Sequence, residues 1–156
     1  MFSFTTKGLA MDTKDKLLKA PDFTLLDENN TEHQLKNYLG QYVLVYFYPK
    51  DDTPGCTVEA CTIRDNFEGF KKRNIKVFGL SPDSVQSHKK FVEKYHLPFT
   101  LLSDKEKTVA KLYGADGFFV KRISFLIDPE GNIIKEYPKV SPSTHAKDIL
   151  LDFDNL

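Results

Sequence analysis

"YVLVYFYPKDDTPGCTVEACTIRD", residues 42–65, is the stretch on which the reading of the fold turns. Tyr42 to Tyr48 form an unbroken aromatic and aliphatic run, the pattern of a central strand buried on both faces. Pro49 ends the run, and from Thr53 the pattern becomes helical. Thr53 suits the N-cap, and Pro54 suits the first helical position, where a missing N–H costs nothing. Gly55 lets the backbone approach a ligand closely. Cys56, Ala60, Ile63, Phe67 and Phe70 then recur in steps of four and three, so the spacing predicts one helix with Cys56 in its first turn, over the apolar face. Lys71, Lys72 and Arg73 suit the negative end of that helix, and Asn74 suits a left-handed terminator.

Working outward, "IKVFGLS" (Ile75 to Ser81) and "RISFLID" (Arg122 to Asp128) have the same buried-strand character. Phe23 to Leu26 and His33 to Leu35 flank the turn-rich "DENNTE" and predict an N-terminal β-hairpin. "DPEGN" turns RISFLID into "IIKEY", a second hairpin. Helices fill the gaps: one capped by "SPDS", with Val85, His88, Val92 and Tyr95 on one face and its end before Pro98; one over Lys105 to Tyr113, stopped by Gly114; one over Ser143 to Leu151. The fold class is therefore α/β, a central mixed sheet flanked by helices, with a parallel core and the terminal hairpin as an antiparallel edge. Residues 1–19 read as a poorly ordered leader and residues 20–156 as one domain.

Composition narrows the function. Lys plus Arg equal Asp plus Glu at 22 each, which leaves no basic footprint for nucleic acid. Asn37 to Pro49, free of charge, is too short to span a bilayer, and the leader lacks the apolar segment of a secretory signal. A cytoplasmic, reducing setting is expected, where two neighbouring cysteines are catalytic or metal-binding more often than a permanent staple. His33, His88, His96 and His145 show no ligand-pair spacing, so neither a metal nor another cofactor is expected. His88 reads as a hydrogen-bonded histidine on the inner face of its helix.

A thiol in the first turn of a helix meets unpaired backbone N–H groups and the positive end of the dipole, both of which favour thiolate. The dipole supplies roughly 0.3–1 kcal/mol, or ~2 in a sheltered site. Lowering a thiol from ~8.5 to ~6 takes more, at about 1.36 kcal/mol per unit, so a cation is required. Arg64 lies two turns along the same helix, about 12 Å away, and Arg73 is farther. Arg122, at the mouth of RISFLID, is the arginine best placed to arrive from another element, with a lysine as the alternative. Cys61 imposes a second constraint: helical Cα atoms five residues apart are about 8.6 Å from each other, whereas a disulfide tolerates about 7 Å. If the two sulfurs bond, the first turns must unwind, and Gly55, Thr57 and Val58 make that less costly.

"PKDDTPGC" carries the Pro-x-x-x-Thr-x-x-Cys pattern in Pro49, Thr53 and Cys56, and with "APDFTLLD", "LSPDSVQSHKKF", "LPFTLLSD" and "RISFLIDPEGNI" the chain resembles the peroxiredoxins of the bacterioferritin-comigratory-protein, or peroxiredoxin Q, class. The resemblance implies a thioredoxin-like fold and a thiol-dependent peroxidase. It implies that Cys56 is the peroxidatic nucleophile, that Thr53 and the Cys56 N–H bind peroxide, and that Arg122 stabilises the thiolate and transition state. Pro49 would shield the site, Glu59 orient the arginine, and Cys61 resolve the oxidised sulfur as an intramolecular disulfide. The implied partners are a peroxide substrate and a thioredoxin-type reductant, and a monomer is expected because resolution needs no second chain. Ser124 stands where the class usually has threonine, and Leu18 where it usually has glycine. Two other readings share the fold and the switch: a general disulfide oxidoreductase, whose two-residue cysteine spacing is absent here, and a redox sensor or holdase.

Overall fold

The run that reads as a central strand is one: β4 (Tyr42–Phe47) lies fourth in an eight-stranded sheet of order β1-β8-β7-β4-β5-β6-β2-β3. The structure is a computed structural model and describes residues 18–156. β4 pairs in parallel with β5 (Ile75–Ser81), which pairs in parallel with β6 (Thr100–Ser103). On its other side β4 runs antiparallel to β7 (Ile123–Ile127), itself antiparallel to β8 (Asn132–Tyr137). The N-terminal hairpin is β2 (Thr24–Asp27) with β3 (Glu32–Gln34), and β2 joins the sheet along β6. No helix among the described residues is long and apolar enough to cross a membrane.

Several local readings are corrected. The third parallel strand is β6, a four-residue run not singled out in the sequence. The sheet also begins before Ala20: β1 (Leu18–Lys19) pairs with Ile133 and Asn132 of β8. The rest of the leader lies outside the described residues. The single helix expected from Thr53 to Arg73 is two, α1 (Pro54–Asp65) and α2 (Phe67–Lys72). The break is Asn66, whose side-chain amide donates to the Thr62 carbonyl at 2.8 Å and so competes with the helical ladder. Asn74 does adopt the left-handed conformation, at φ 54°. In α3 (Val85–Tyr95) the Ser84 hydroxyl accepts from the Ser87 N–H, and His96 terminates the helix at φ 55°. α4 covers only Thr108–Leu112, because Asp104 accepts the N–H groups of Val109 and Ala110 and holds the preceding residues as a turn. α5 (His145–Asp154) starts and ends later than read.

Alternation along β4 builds two cores. Leu44, Tyr46 and Tyr48 face Cys56, Ala60, Ile63, Phe70, Phe91 and Ile149, on the side covered by α1, α2, α3 and α5. Val43, Val45 and Phe47 face Phe78, Leu80, Val109, Tyr113 and Phe125, on the side of α4. Burial on both faces is why no polar residue interrupts the strand. Tyr46 needs space in its neighbour, and Gly79, its register partner on β5, provides it. A Cβ at Gly79 would lie 2.8 Å from the Tyr46 ring and from Leu101 Cδ2. Gly79→Ala is therefore expected to lower stability by about 1–3 kcal/mol, read as the midpoint of urea denaturation; an unchanged midpoint would show that the ring is free to move.

Candidate active site

The strand-to-helix connection is fixed by polar side chains of which only His88 was singled out in the sequence. Tyr48 donates its hydroxyl to Asp51 Oδ1 at 2.6 Å. Asp51 Oδ2 accepts from Ser87 Oγ at 2.8 Å and shares a 2.7 Å hydrogen bond with His88 Nδ1. His88 Nε2 donates to the Leu102 carbonyl at 3.0 Å, so both ring nitrogens are used, as its reading as a hydrogen-bonded histidine requires. The Asp51 N–H donates to Asp83 Oδ2 at 2.8 Å. Asp52, at φ 59°, turns outward and accepts from Lys94 Nζ and Tyr95 Oη at 2.7 and 2.8 Å. Two adjacent aspartates thus tie the loop to α3, one from inside and one from the surface.

Asp51, Asp83 and His88 place ligand-type atoms within 4.8 Å of one another. Those atoms are already engaged: the Asp51 and Asp83 carboxylates take hydroxyl and backbone donors, including Ser81 Oγ at 2.6 Å. The cluster is a structural network.

Thr53 stands at the N-cap of α1, but its hydroxyl donates to the Lys50 carbonyl at 2.9 Å and does not cap the helix. This corrects the capping role read from the sequence. It leaves the first-turn amides without a side-chain cap, and such amides favour an anion. Pro49 is half-buried at the start of the loop.

Cys56 sits in that first turn, 1% exposed, and the guanidinium beside it belongs to Arg122: Nη2 lies 3.4 Å from Sγ. The other arginines are committed elsewhere, Arg64 to the Tyr95 carbonyl at 2.7 Å and Arg73 to Asp154 at 2.6 Å. Arg122 Nη1 donates to Glu59 Oε1 at 2.8 Å, so one fork spans a sulfur and a carboxyl. A Cβ at Gly55 would lie 2.9 Å from Arg122 Nη2, so the glycine is what admits the guanidinium over the first turn. Glu59 is 0% exposed, and burial pushes its carboxyl up to about 7 against the hydrogen bond and charge of Arg122. The Arg122 guanidinium is held above its usual range: burial opposes this, but Cys56 and Glu59 outweigh it.

Cys61, half-buried further along α1, is a free thiol, as is Cys56, and α1 is continuous through both. Burial pushes the Cys61 thiol up, Arg64 opposing and Asp65 adding. On the sheet below, Ser124 Oγ lies 2.7 Å from His145 Nε2, so the serine at this position is occupied by a histidine from α5. Burial pushes His145 down to about 4, aided by the nearby Arg122 charge. A groove of about 550 Å³ between β2 and α4 lies away from these residues.

Cys56, Glu59 and Arg122 are thus brought into direct contact, with Gly55 against the guanidinium and Pro49 and Thr53 on the loop leading in; Cys61 shares the helix. The model of the AhpC/TSA family matches residues 18–136. Peroxiredoxin Bcp of Bacillus subtilis is 43% identical over 141 residues, covering 85% of this chain and 90% of that protein. The chloroplastic peroxiredoxin Q of Sedum lineare is 42% identical over 135 residues, covering 83% and 73%. The crystal structure of peroxidoxin BcpB from Mycobacterium tuberculosis superposes with a TM-score of 0.84 at 32% identity, over 90% of this chain and 96% of that one. The fold is accordingly thioredoxin-like, and the chain belongs to the AhpC/TSA family, within its Bcp and peroxiredoxin Q group of peroxiredoxins.

Proposed function

We propose that this chain is a thiol-dependent peroxidase that reduces hydrogen peroxide and organic hydroperoxides through Cys56. The observation that carries the reading is the Arg122 fork, with one arm on Cys56 Sγ at the start of α1 and the other on Glu59. A cationic donor at 3.4 Å stabilises negative charge on sulfur. As the thiolate attacks the terminal oxygen of the peroxide, charge leaves sulfur and arrives on the departing oxygen. Arg122 and the uncapped first-turn amides are suited to receive it there. Thr53 donates to Lys50, so its lone pairs stay open to the peroxide O–H.

The product at Cys56 is a sulfenic acid. Cys61 then condenses with it, forming the S–S bond and releasing water, which ends the path to overoxidation. The helical separation of the two residues requires α1 to unwind for that step. A dithiol reductant of the thioredoxin type restores both thiols by exchange. Every group named so far comes from one chain, which favours a monomer, and a cycle that depends on a dithiol reductant suits the reducing cytoplasm.

The test is mass spectrometry after a single dose of peroxide. Cys56→Ser is expected to abolish turnover, whereas Cys61→Ser consumes about one equivalent, accumulates sulfenic acid and stalls. Sulfenic acid at Cys61 in the Cys56→Ser protein would reverse the two roles. The Arg122 contact is tested by Gly55→Ala, whose methyl displaces the guanidinium while leaving the helix intact. Its rate constant for peroxide is expected to fall by about tenfold or more, measured by stopped-flow mixing, with little change in thermal midpoint; an unaltered rate would remove Arg122 from the mechanism.

A further inference from the structure

Two fully buried oxygens in the site have no hydrogen-bond partner: Glu59 Oε2 and the Tyr46 hydroxyl. Tyr46 belongs to the core face that carries Cys56 and is the register partner of Ser124, two residues along the chain from Arg122, to which Glu59 is bonded. A buried carboxylate oxygen without a donor is costly, and a proton on the carboxyl removes the charge that makes up most of that cost. Charge counting leads to the same place. Among the described residues, Arg122 is the one cation in contact with both Cys56 and Glu59. A thiolate and a carboxylate together would leave one buried negative charge unmatched, which proteins avoid by neutralising a group.

We propose that Cys56 and Glu59 share a single proton across Arg122: the Glu59 carboxyl holds it while the sulfur is a thiolate, and releases it when the sulfur is oxidised. The inference deepens the peroxidase reading and rests on it. The step balances as Cys56–S⁻ + HO–OR + Glu59–COOH giving Cys56–SOH + ROH + Glu59–COO⁻. The O–O bond breaks and an S–O bond forms with the sulfur electron pair. The proton lost by Glu59 is matched by the one gained by the alkoxide through solvent, and the site carries one anion beside one cation before and after.

The surrounding groups leave Glu59 as the one that exchanges. Tyr46, from β4, and Tyr48, just past its end, are pushed far up by burial and stay protonated. His145, from α5, is held down at about 4 and stays neutral. Asp51, in the loop, is bound to His88, Ser87 and Tyr48. Glu59 itself is raised by burial from its ordinary 4.5 to about 7.

Infrared difference spectroscopy on reduced Cys61→Ser protein near neutral pH, before and after one equivalent of hydrogen peroxide, tests the proposal. A protonated-carboxyl band is expected in the reduced protein, lost on oxidation and absent when Glu59→Gln is added. Should the double variant not fold, ¹³C-labelled glutamate in Cys61→Ser identifies the band by its shift. No such band, or a band that survives full conversion to sulfenic acid by mass, overturns the proton exchange alone. Failure to form any sulfenic acid overturns the peroxidase reading, and the exchange with it. Urea midpoints give a second readout: because the folded carboxyl is raised, its stabilisation is present below about 4.5 and lost as pH rises to about 7. Relative to the Glu59→Gln variant, the Cys61→Ser protein should lose stability between about pH 5 and pH 8; parallel profiles would contradict a proton held at Glu59.

Discussion

One contact organises this protein: the guanidinium of Arg122 against the sulfur of Cys56. The two residues are far apart in sequence, and the sheet brings them together. β7 runs antiparallel to β4, with Ile123 opposite Phe47 and Ser124 opposite Tyr46. The beginning of β7 therefore lies beside the end of β4, where the chain turns into α1. A parallel neighbour would have delivered its first residues to the other end of the sheet. The strand direction is thus part of the chemistry, since a helix N-terminus alone supplies too little electrostatic stabilisation to keep a thiol ionised.

Around that contact the core is unusually polar, and its polar groups are arranged in tiers. Asp51, His88, Ser87 and Tyr48 satisfy one another below the loop. Ser124 and His145 do so beneath Arg122. Buried groups of this kind are costly when left half-satisfied and rigidifying when complete. Among the described residues, only the buried side chains of Glu59 and Tyr46 keep an oxygen without a partner, and both lie close to the Cys56 sulfur.

The long buried strands were legible because burial on both faces leaves an uninterrupted apolar run, and RISFLID with the DPEGN turn announced its hairpin in the same way. β6 was not, since four residues after Pro98 carry too little periodicity to separate a strand from a loop. Asn66 hid the break between α1 and α2, because the apolar spacing continues through it and only its side-chain amide, bonded to Thr62, shows the interruption. Cys56 could be read from local chemistry, and comparing the arginines favoured Arg122 while leaving a lysine open. The division of labour between Asp51 and Asp52 could not: the two are identical in sequence, and only the left-handed conformation of Asp52 sends one inward and the other out. Thr53 misled for a related reason, as a residue type suited to capping found a carbonyl nearer to hand.

The two ends of α1 are anchored to the same neighbour. At its start the aspartate pair grips α3, and near its end Arg64 reaches the Tyr95 carbonyl on that helix. Such clamps act as abutments: a melt beginning in the first turns has a short span in which to travel before it meets a fixed point. Under the proposed cycle, disulfide formation is then a bounded excursion of one segment, with the sheet as an undisturbed foundation, and the return to the starting shape needs only that span to rewind.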